Sequence, residues 1–199
     1  MNYPLFYNTI ETITLQDKLS QFLGAFDEGI IEFSYLDIVK CAGHSCPTVL
    51  GAYLMTLEGL KALYKEELPQ RGEIKVEFKE DSKEGTAGVV ANVIGNITGA
   101  TSHLGFKGIG GNFDRRHLMF FNMDIPSNVR FTRRDTGKSV DVFYTPNRIP
   151  PHEDMPILMQ KCIAKTANLQ EQETFAQLWQ ARVESIVNNI HKVISFTYN

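Results

Sequence analysis

The feature that most restricts the fold of this sequence is the segment 41–47, which reads Cys-Ala-Gly-His-Ser-Cys-Pro and continues directly into an apolar stretch. Proline suits the first turn of a helix, because the N–H group that it lacks would have no partner there. We therefore predict a helix over residues 47–64. Its core-facing side chains are Leu50, Leu54, Leu57, Ala62 and Leu63. The fold must place a turn that carries two thiols immediately before this core helix.

The same turn brings together three soft donor groups, those of Cys41, His44 and Cys46, within six residues. Zinc prefers sulfur and nitrogen ligands in a tetrahedral arrangement, and catalytic zinc sites keep one position open for water. A helix N-terminus also stabilises a thiolate through its free N–H groups and its dipole. The turn therefore predicts a metal site, an activated thiolate, or both. The structural alternative is a tight turn of small residues in which His44 is only hydrogen-bonded.

A second group of candidate ligands lies in or beside a glycine-rich segment, 98–112. Repeated glycines indicate a loop with positive φ angles or a close approach of the backbone to a ligand. His103 lies in this segment and is our candidate to complete the metal site, with His117 as the alternative. Cys162 stands apart from the other cysteines, and we expect it to be a buried apolar residue.

The bulk properties exclude several classes of protein. The 199 residues are enough for one domain with a substantial core, and the net charge of −3 gives no field that would attract nucleic acid. The sequence contains no run of about 18 apolar residues, so we expect no membrane span. We also see no signal peptide in residues 1–16. Three cysteines do not form a disulfide framework, and reduced thiols predict a cytoplasmic protein.

The order of apolar patterns predicts an α+β fold in which an antiparallel sheet packs with helices. Residues 146–156 contain four prolines, which predicts a linker before a long C-terminal helix. We predict a core domain over residues 1–147, with the linker and C-terminal helices of 148–199 packing on that core or on a partner subunit. The predicted helices are 12–26, 47–64, 86–97, 156–167 and 171–194, and the predicted strands are 30–33, 73–80, 117–122, 128–134 and 139–145.

Three segments resemble a known family. Gly43-His44-Ser45-Cys46-Pro47 with the helix after it, Ile97-Thr98-Gly99-Ala100-Thr101, and the hairpin 128–145 are similar to the FmdE-like family of formylmethanofuran dehydrogenase proteins. The resemblance covers roughly residues 15–145. It implies an α+β core, dimers that can exchange elements, and a cleft in which His44 and Cys46 bind zinc or another divalent metal. It implies no established reaction.

The sequence departs from the family pattern at several cleft positions. Ala42 stands where the family often has histidine, Thr48 where it has glycine, and Ala100 where it often has cysteine. The cysteine-rich C-terminal zinc module of longer members is absent. We therefore expect Cys41 and His103 to compensate as ligands.

Two functional hypotheses follow. The first is an FmdE-like homodimer that binds zinc or another divalent transition metal through His44 and Cys46, with Cys41 and His103 as additional ligands; whether it is a metal-dependent enzyme stays open, and its substrate is unknown. The second is a non-enzymatic protein that binds haem or a small molecule in the same cleft. Neither hypothesis includes nucleic acid or membrane as a partner.

Overall fold

The computed structural model describes residues 2–199, which adopt an α+β fold. The helices are α1 (Lys18–Leu23), α2 (Tyr35–Ala42), α3 (Pro47–Tyr64), α4 (Ala87–Thr98), α5 (Met155–Ile163), α6 (Leu169–Val187) and α7 (Ile190–Val193). The strands are β1 (Ile13–Gln16), β2 (Ile30–Phe33), β3 (Ile74–Phe78), β4 (Met119–Phe120), β5 (Val129–Arg133), β6 (Ser139–Tyr144) and β7 (Ile194–Tyr198). Three short 3-10 helices lie at Leu5–Thr9, Asp27–Gly29 and Pro146–Arg148.

The main sheet has five strands in the order β4-β3-β5-β6-β7, and β1 pairs with β2 in a separate two-stranded ribbon. Every neighbouring pair in the main sheet is antiparallel except β3 and β4, where Val76 lies beside Met119 in a parallel pair. The α+β prediction is confirmed. The parallel pair makes the sheet mixed, which the alternation of apolar residues along single strands did not reveal.

Helix α3 is the centre of the core and is buried along almost its whole length. It packs against the sheet on one side and against α4 on the other. Two glycines allow the close approach: a Cβ atom on Gly51 would lie 2.1 Å from the Tyr144 ring, and one on Gly59 would lie 2.8 Å from the Phe131 ring. A helix covered on all sides carries apolar residues around its whole circumference, which is the pattern that residues 47–64 show.

Several element boundaries differ from the predictions. The predicted helix over residues 12–26 is strand β1 followed by the short helix α1, because Asp17 caps α1 by accepting hydrogen bonds from the backbone N–H groups of Leu19 and Ser20. Helix α2 was not predicted, although Ser34 and Asp37 form a capping box at its start. The predicted helix over residues 171–194 ends at Val187, and β7 then pairs with β6.

The C-terminal region begins with a helical hairpin. Helix α5 packs mainly against α6, and Met155 is its one buried residue. Helix α6 buries Val183 and Ile186, both in its second half. We call α5 and the first half of α6, residues 155–178, the arm. The division of the chain into domains at residue 147 stays a prediction.

None of the helices in residues 2–199 combines the length and the apolar character that crossing a bilayer requires.

Candidate functional site

The turn between α2 and α3 is fixed by caps at both of its ends. Gly43 ends α2 with a φ of 75° and donates its N–H to the carbonyl of Val39, a conformation that favours glycine. Cys46 is the N-cap of α3, and its Sγ accepts a hydrogen bond from the N–H of Val49 at 3.4 Å. The Cys46 sulfur therefore lies at the positive end of a long helix, where a thiolate is stabilised.

His44 projects from this turn into solvent, with one ring nitrogen held by the backbone. Its Nδ1 lies 3.0 Å from the carbonyl oxygen of Ala42. A carbonyl oxygen only accepts hydrogen bonds, so Nδ1 carries the proton, and Nε2 of the neutral ring keeps its lone pair. Metal-binding histidines commonly use one nitrogen in this way to orient the other toward the metal.

Ser45 lies between the two candidate ligands and anchors the turn to the rest of the molecule. The Ser45 hydroxyl is buried and lies 2.8 Å from the Tyr35 hydroxyl. Its carbonyl oxygen accepts hydrogen bonds from Trp179 Nε1 at 3.0 Å and from Gln180 Nε2 at 3.2 Å. Helix α6 therefore holds the turn from a point more than 130 residues away in the sequence.

Two buried tyrosines flank Cys46. The Tyr144 hydroxyl donates a hydrogen bond to the carbonyl of Pro47 at 2.7 Å. Burial raises the pKa of Tyr35 and the pKa of Tyr144, and the nearby Cys46 acts in the same direction on both. Both phenols therefore stay protonated at neutral pH and remain hydrogen-bond donors beside the turn.

The structure places the four predicted ligands unequally. Cys41, His44 and Cys46 share the turn, with Cys41 and His44 exposed and Cys46 half-buried. His103 is exposed in the loop after α4, where its Nδ1 lies 3.4 Å from the Ser102 hydroxyl. Among residues 2–199, no group of three or more histidine, cysteine or acidic side chains is arranged to hold a metal ion.

The separation of His103 from the turn follows from the direction of the helices. One cavity is lined both by Thr48 at the start of α3 and by Thr86 and Ala87 at the start of α4, so these two helices begin side by side. The twelve residues of α4 span about 18 Å, at 1.5 Å per residue. His103 follows the far end of α4, so within one chain it does not face the turn.

The donors fit zinc in kind, because imidazole nitrogen and thiolate sulfur are ligands that it prefers. His44 fits best, since its Nε2 is exposed and oriented. A bound metal would act as a Lewis acid or activate a bound water. The chain's own contribution is the turn itself: two helix caps and the Ser45 contacts hold His44 and Cys46 in place before any metal arrives.

The cavity beside the start of α3 was not predicted from the sequence. Its volume is about 200 Å³, and Thr48, Thr86, Asn128 and Tyr144 supply its polar groups. The apolar lining includes Met55, Phe78, Val90 and Val129. Thr48 is two residues beyond Cys46, so the motif itself points to this region. The contribution of residues from β5 and β6 depends on sheet pairing that a single sequence does not show.

A larger groove of about 540 Å³ lies at the other end of α4, beside the glycine-rich loop. At its side, Asp17 pairs with Arg71 at 2.8 Å and with Arg115 at 2.5 Å. Burial raises the pKa of Asp17, but the two guanidinium groups and a backbone N–H outweigh it and hold the pKa below its usual value. Arg71 also donates to the carbonyls of Asn96 and Ile97, which closes the end of α4.

The fold and the turn define a class: α+β proteins in which a Gly-His-x-Cys-Pro turn leads into a buried central helix. The model of the family described as FmdE, molybdenum formylmethanofuran dehydrogenase operon, matches residues 41–194 and so begins at the first cysteine of the turn. The chain therefore belongs to the FmdE family, and the resemblance seen in the sequence is confirmed.

Among solved structures, the chain is similar to an FmdE-like protein of tungsten formylmethanofuran dehydrogenase from Syntrophus aciditrophicus. The two chains are 14% identical, the alignment covers 84% of this chain and 72% of the other, and the TM-score is 0.41. No curated protein matches the sequence.

Proposed function

We propose that this FmdE-family protein binds zinc or another divalent transition metal at the 41–47 turn. His44 Nε2 and the Cys46 thiolate are the principal ligands in this proposal, and Cys41 is the nearest additional donor. The observation that carries the proposal is the 3.0 Å contact between His44 Nδ1 and the Ala42 carbonyl, which leaves Nε2 free and directed outward. His103 takes part only if a second chain brings it to the turn.

The test is the metal content of protein purified without chelators, measured by inductively coupled plasma mass spectrometry. We expect about one metal ion per chain and its loss in the His44→Ala, Cys46→Ser double variant. The matched control is Cys162→Ser, because Cys162 is a free thiol far from the turn in the sequence and should not affect the metal. Retention of the full metal content in the double variant would contradict the proposal.

The single variants Cys41→Ser and His103→Ala divide the remaining ligands. A site confined to the turn loses affinity in Cys41→Ser and keeps it in His103→Ala. Loss in His103→Ala, with the protein still folded by circular dichroism, indicates that two chains share the site, because the loop of His103 lies at the opposite end of α4.

The cavity beside Thr48 supports binding of a small molecule next to the metal, and a metal-dependent reaction there is the enzymatic form of the proposal. The non-enzymatic alternative is a haem- or small-ligand-binding protein. The visible absorbance of the same preparations separates the two: a Soret band favours haem, and a colourless protein with stoichiometric zinc favours the metal site.

We also propose that the protein is a cytoplasmic homodimer. The thiols of Cys41, Cys46 and Cys162 are all free, which suits a reducing compartment. The dimer is supported by the apolar surface of the arm. Gel filtration with light scattering measures the oligomeric state directly.

A further inference from the structure

The arm carries more exposed apolar surface than a free helical hairpin needs. Ile157 is 61% exposed, Ile163 is 75% exposed and Leu169 is 78% exposed, and Met159 lies between the first two. Single exposed apolar residues are common on protein surfaces, but several that adjoin one another mark a contact surface. The arm therefore has a face that its own chain leaves uncovered.

Helical spacing divides α5 into two faces. Met155, Leu158 and Cys162 are separated by three and four residues, and they are its less exposed side chains, directed at α6. Pro156, Met159 and Ile163 have the same spacing, and all three are exposed. The exposed face is continuous along the nine residues of α5.

The charges at the two ends of α5 are opposite in sign. Glu153 and Asp154 precede the helix, and Lys161 and Lys165 lie in its last turn or just beyond it. Two copies of α5 that pack antiparallel would therefore place the acidic end of each beside the basic end of the other. An antiparallel pair also aligns the helix dipoles favourably. A surface that complements itself in this way is the requirement for a contact with two-fold symmetry.

We propose that α5 is the contact surface for a second copy of this chain, packed antiparallel around a two-fold axis near Met159. Met159 is the central residue of α5, and Glu153 and Lys165 lie six positions on either side of it. The two-fold axis therefore pairs Glu153 of one chain with Lys165 of the other, twice. Ile157 and Ile163 cover the apolar strip between these charges, and Leu169 lies at its edge.

This inference rests on the homodimer proposed above and is independent of the metal site. Its first test is analytical ultracentrifugation of the full chain and of Ile163→Asp. Ile163 is exposed in the single chain, so the substitution does not disturb the core. We expect the wild type to form dimers and the variant to dissociate at least tenfold more readily.

The matched control is Ala181→Asp, which places the same charge on an exposed position of α6 beyond the arm. It should leave the dimer unchanged. A wild-type protein that is monomeric at every concentration overturns the inference. A dimer that Ile163→Asp does not weaken also overturns it, while leaving the homodimer itself in place.

A charge exchange tests the direction of packing. Glu153→Lys and Lys165→Glu should each weaken the dimer about fivefold at low salt, because exposed ion pairs contribute little and each substitution affects two of them. The double variant Glu153→Lys, Lys165→Glu restores the opposite charges across the axis and should recover the wild-type dissociation constant. Additive weakening in the double variant contradicts the antiparallel register.

A cysteine at the axis provides the third test. Two Cβ atoms must come within about 4 Å to form a disulfide. In a Cys162→Ser background, Met159→Cys should give a covalent dimer with diamide as oxidant, whereas Ala181→Cys should not. Cross-linking through position 181 alone would place the contact elsewhere and refute the arm as its surface.

Discussion

The two ends of α4 differ in how their polar groups are used. At the far end, Asp17, Arg71 and Arg115 are paired with one another and largely removed from water. At the near end, the turn of His44 and Cys46 is fixed by backbone contacts, while the His44 ring remains exposed. Polar groups whose partners lie within the chain stabilise the fold, and groups that are held in place but left without a partner are available for a ligand.

Substitution of Asp17 is the strongest way to test this contrast. Asp17→Asn leaves the buried Arg115 without its negative partner, and breaking such a pair costs about 3 kcal/mol. We expect this loss in the free energy of unfolding, measured with urea, and no change in metal content per folded chain. The exposed pair of Arg134 and Glu73 is the control, and Glu73→Gln should change stability by less than about 0.5 kcal/mol.

The stability of the wild type should depend on pH through the same carboxylate. The pKa of Asp17 in the folded protein lies below its usual value of 3.8, so its contribution is complete above that pH and is lost as the pH falls through the folded pKa. The difference in unfolding free energy between wild type and Asp17→Asn should therefore be constant near neutral pH and shrink in acid. A difference that grows as the pH falls contradicts the assignment.

At the near end, Gly51→Ala should displace Tyr144, because the new Cβ would lie 2.1 Å from its ring. Overpacking of this kind costs about 2 kcal/mol. The displaced hydroxyl would also lose its contact with the Pro47 carbonyl, so metal affinity should fall as well. Tyr144→Phe is the control: it removes the hydroxyl without moving the ring and should cost about 1 kcal/mol.

The smallest effect is expected from the helix that holds the turn. Trp179→Phe removes one of the two donors to the Ser45 carbonyl and should cost about 1 kcal/mol of stability. Because Ser45 adjoins both candidate ligands, we also expect a several-fold loss of metal affinity, measured by competition with a chelator. An unchanged affinity, with the stability loss present, would show that the turn holds its shape without α6.

The parts of the fold that local patterns determine were predictable. Helix α3 follows from the proline and the apolar residues after it, and β3 follows from its alternating side chains. The hairpin of β5 and β6 follows from two apolar strands joined by a turn that contains Gly137. In each case the determining residues lie within one element or in adjacent ones.

The unpredicted parts depend on partners that are distant in sequence. The local pattern places helix up to residue 194, whereas β7 begins there because its residues pair with β6, far earlier in the chain. The helix predicted over β1 is wrong for the same reason, since β1 pairs with β2. The cavity beside Thr48 needs side chains from α4, β5 and β6 together, and a linear sequence does not show which of them meet.

The candidate site was predictable in its residues but not in its geometry. The turn of His44 and Cys46 could be found from spacing alone, whereas the anchoring of Ser45 by Trp179 and Gln180 could not. The placement of His103 beyond the far end of α4 follows from the direction of the helices, which local sequence does not encode.

Trp179 is the single tryptophan of the chain, and its indole N–H is bonded to the residue between the two candidate ligands. The molecule thus has one indole fluorophore, and it lies where occupancy of the turn should alter its emission. Titration with Zn²⁺ or Co²⁺, followed by fluorescence, can therefore report on this one locus in the unlabelled wild-type protein.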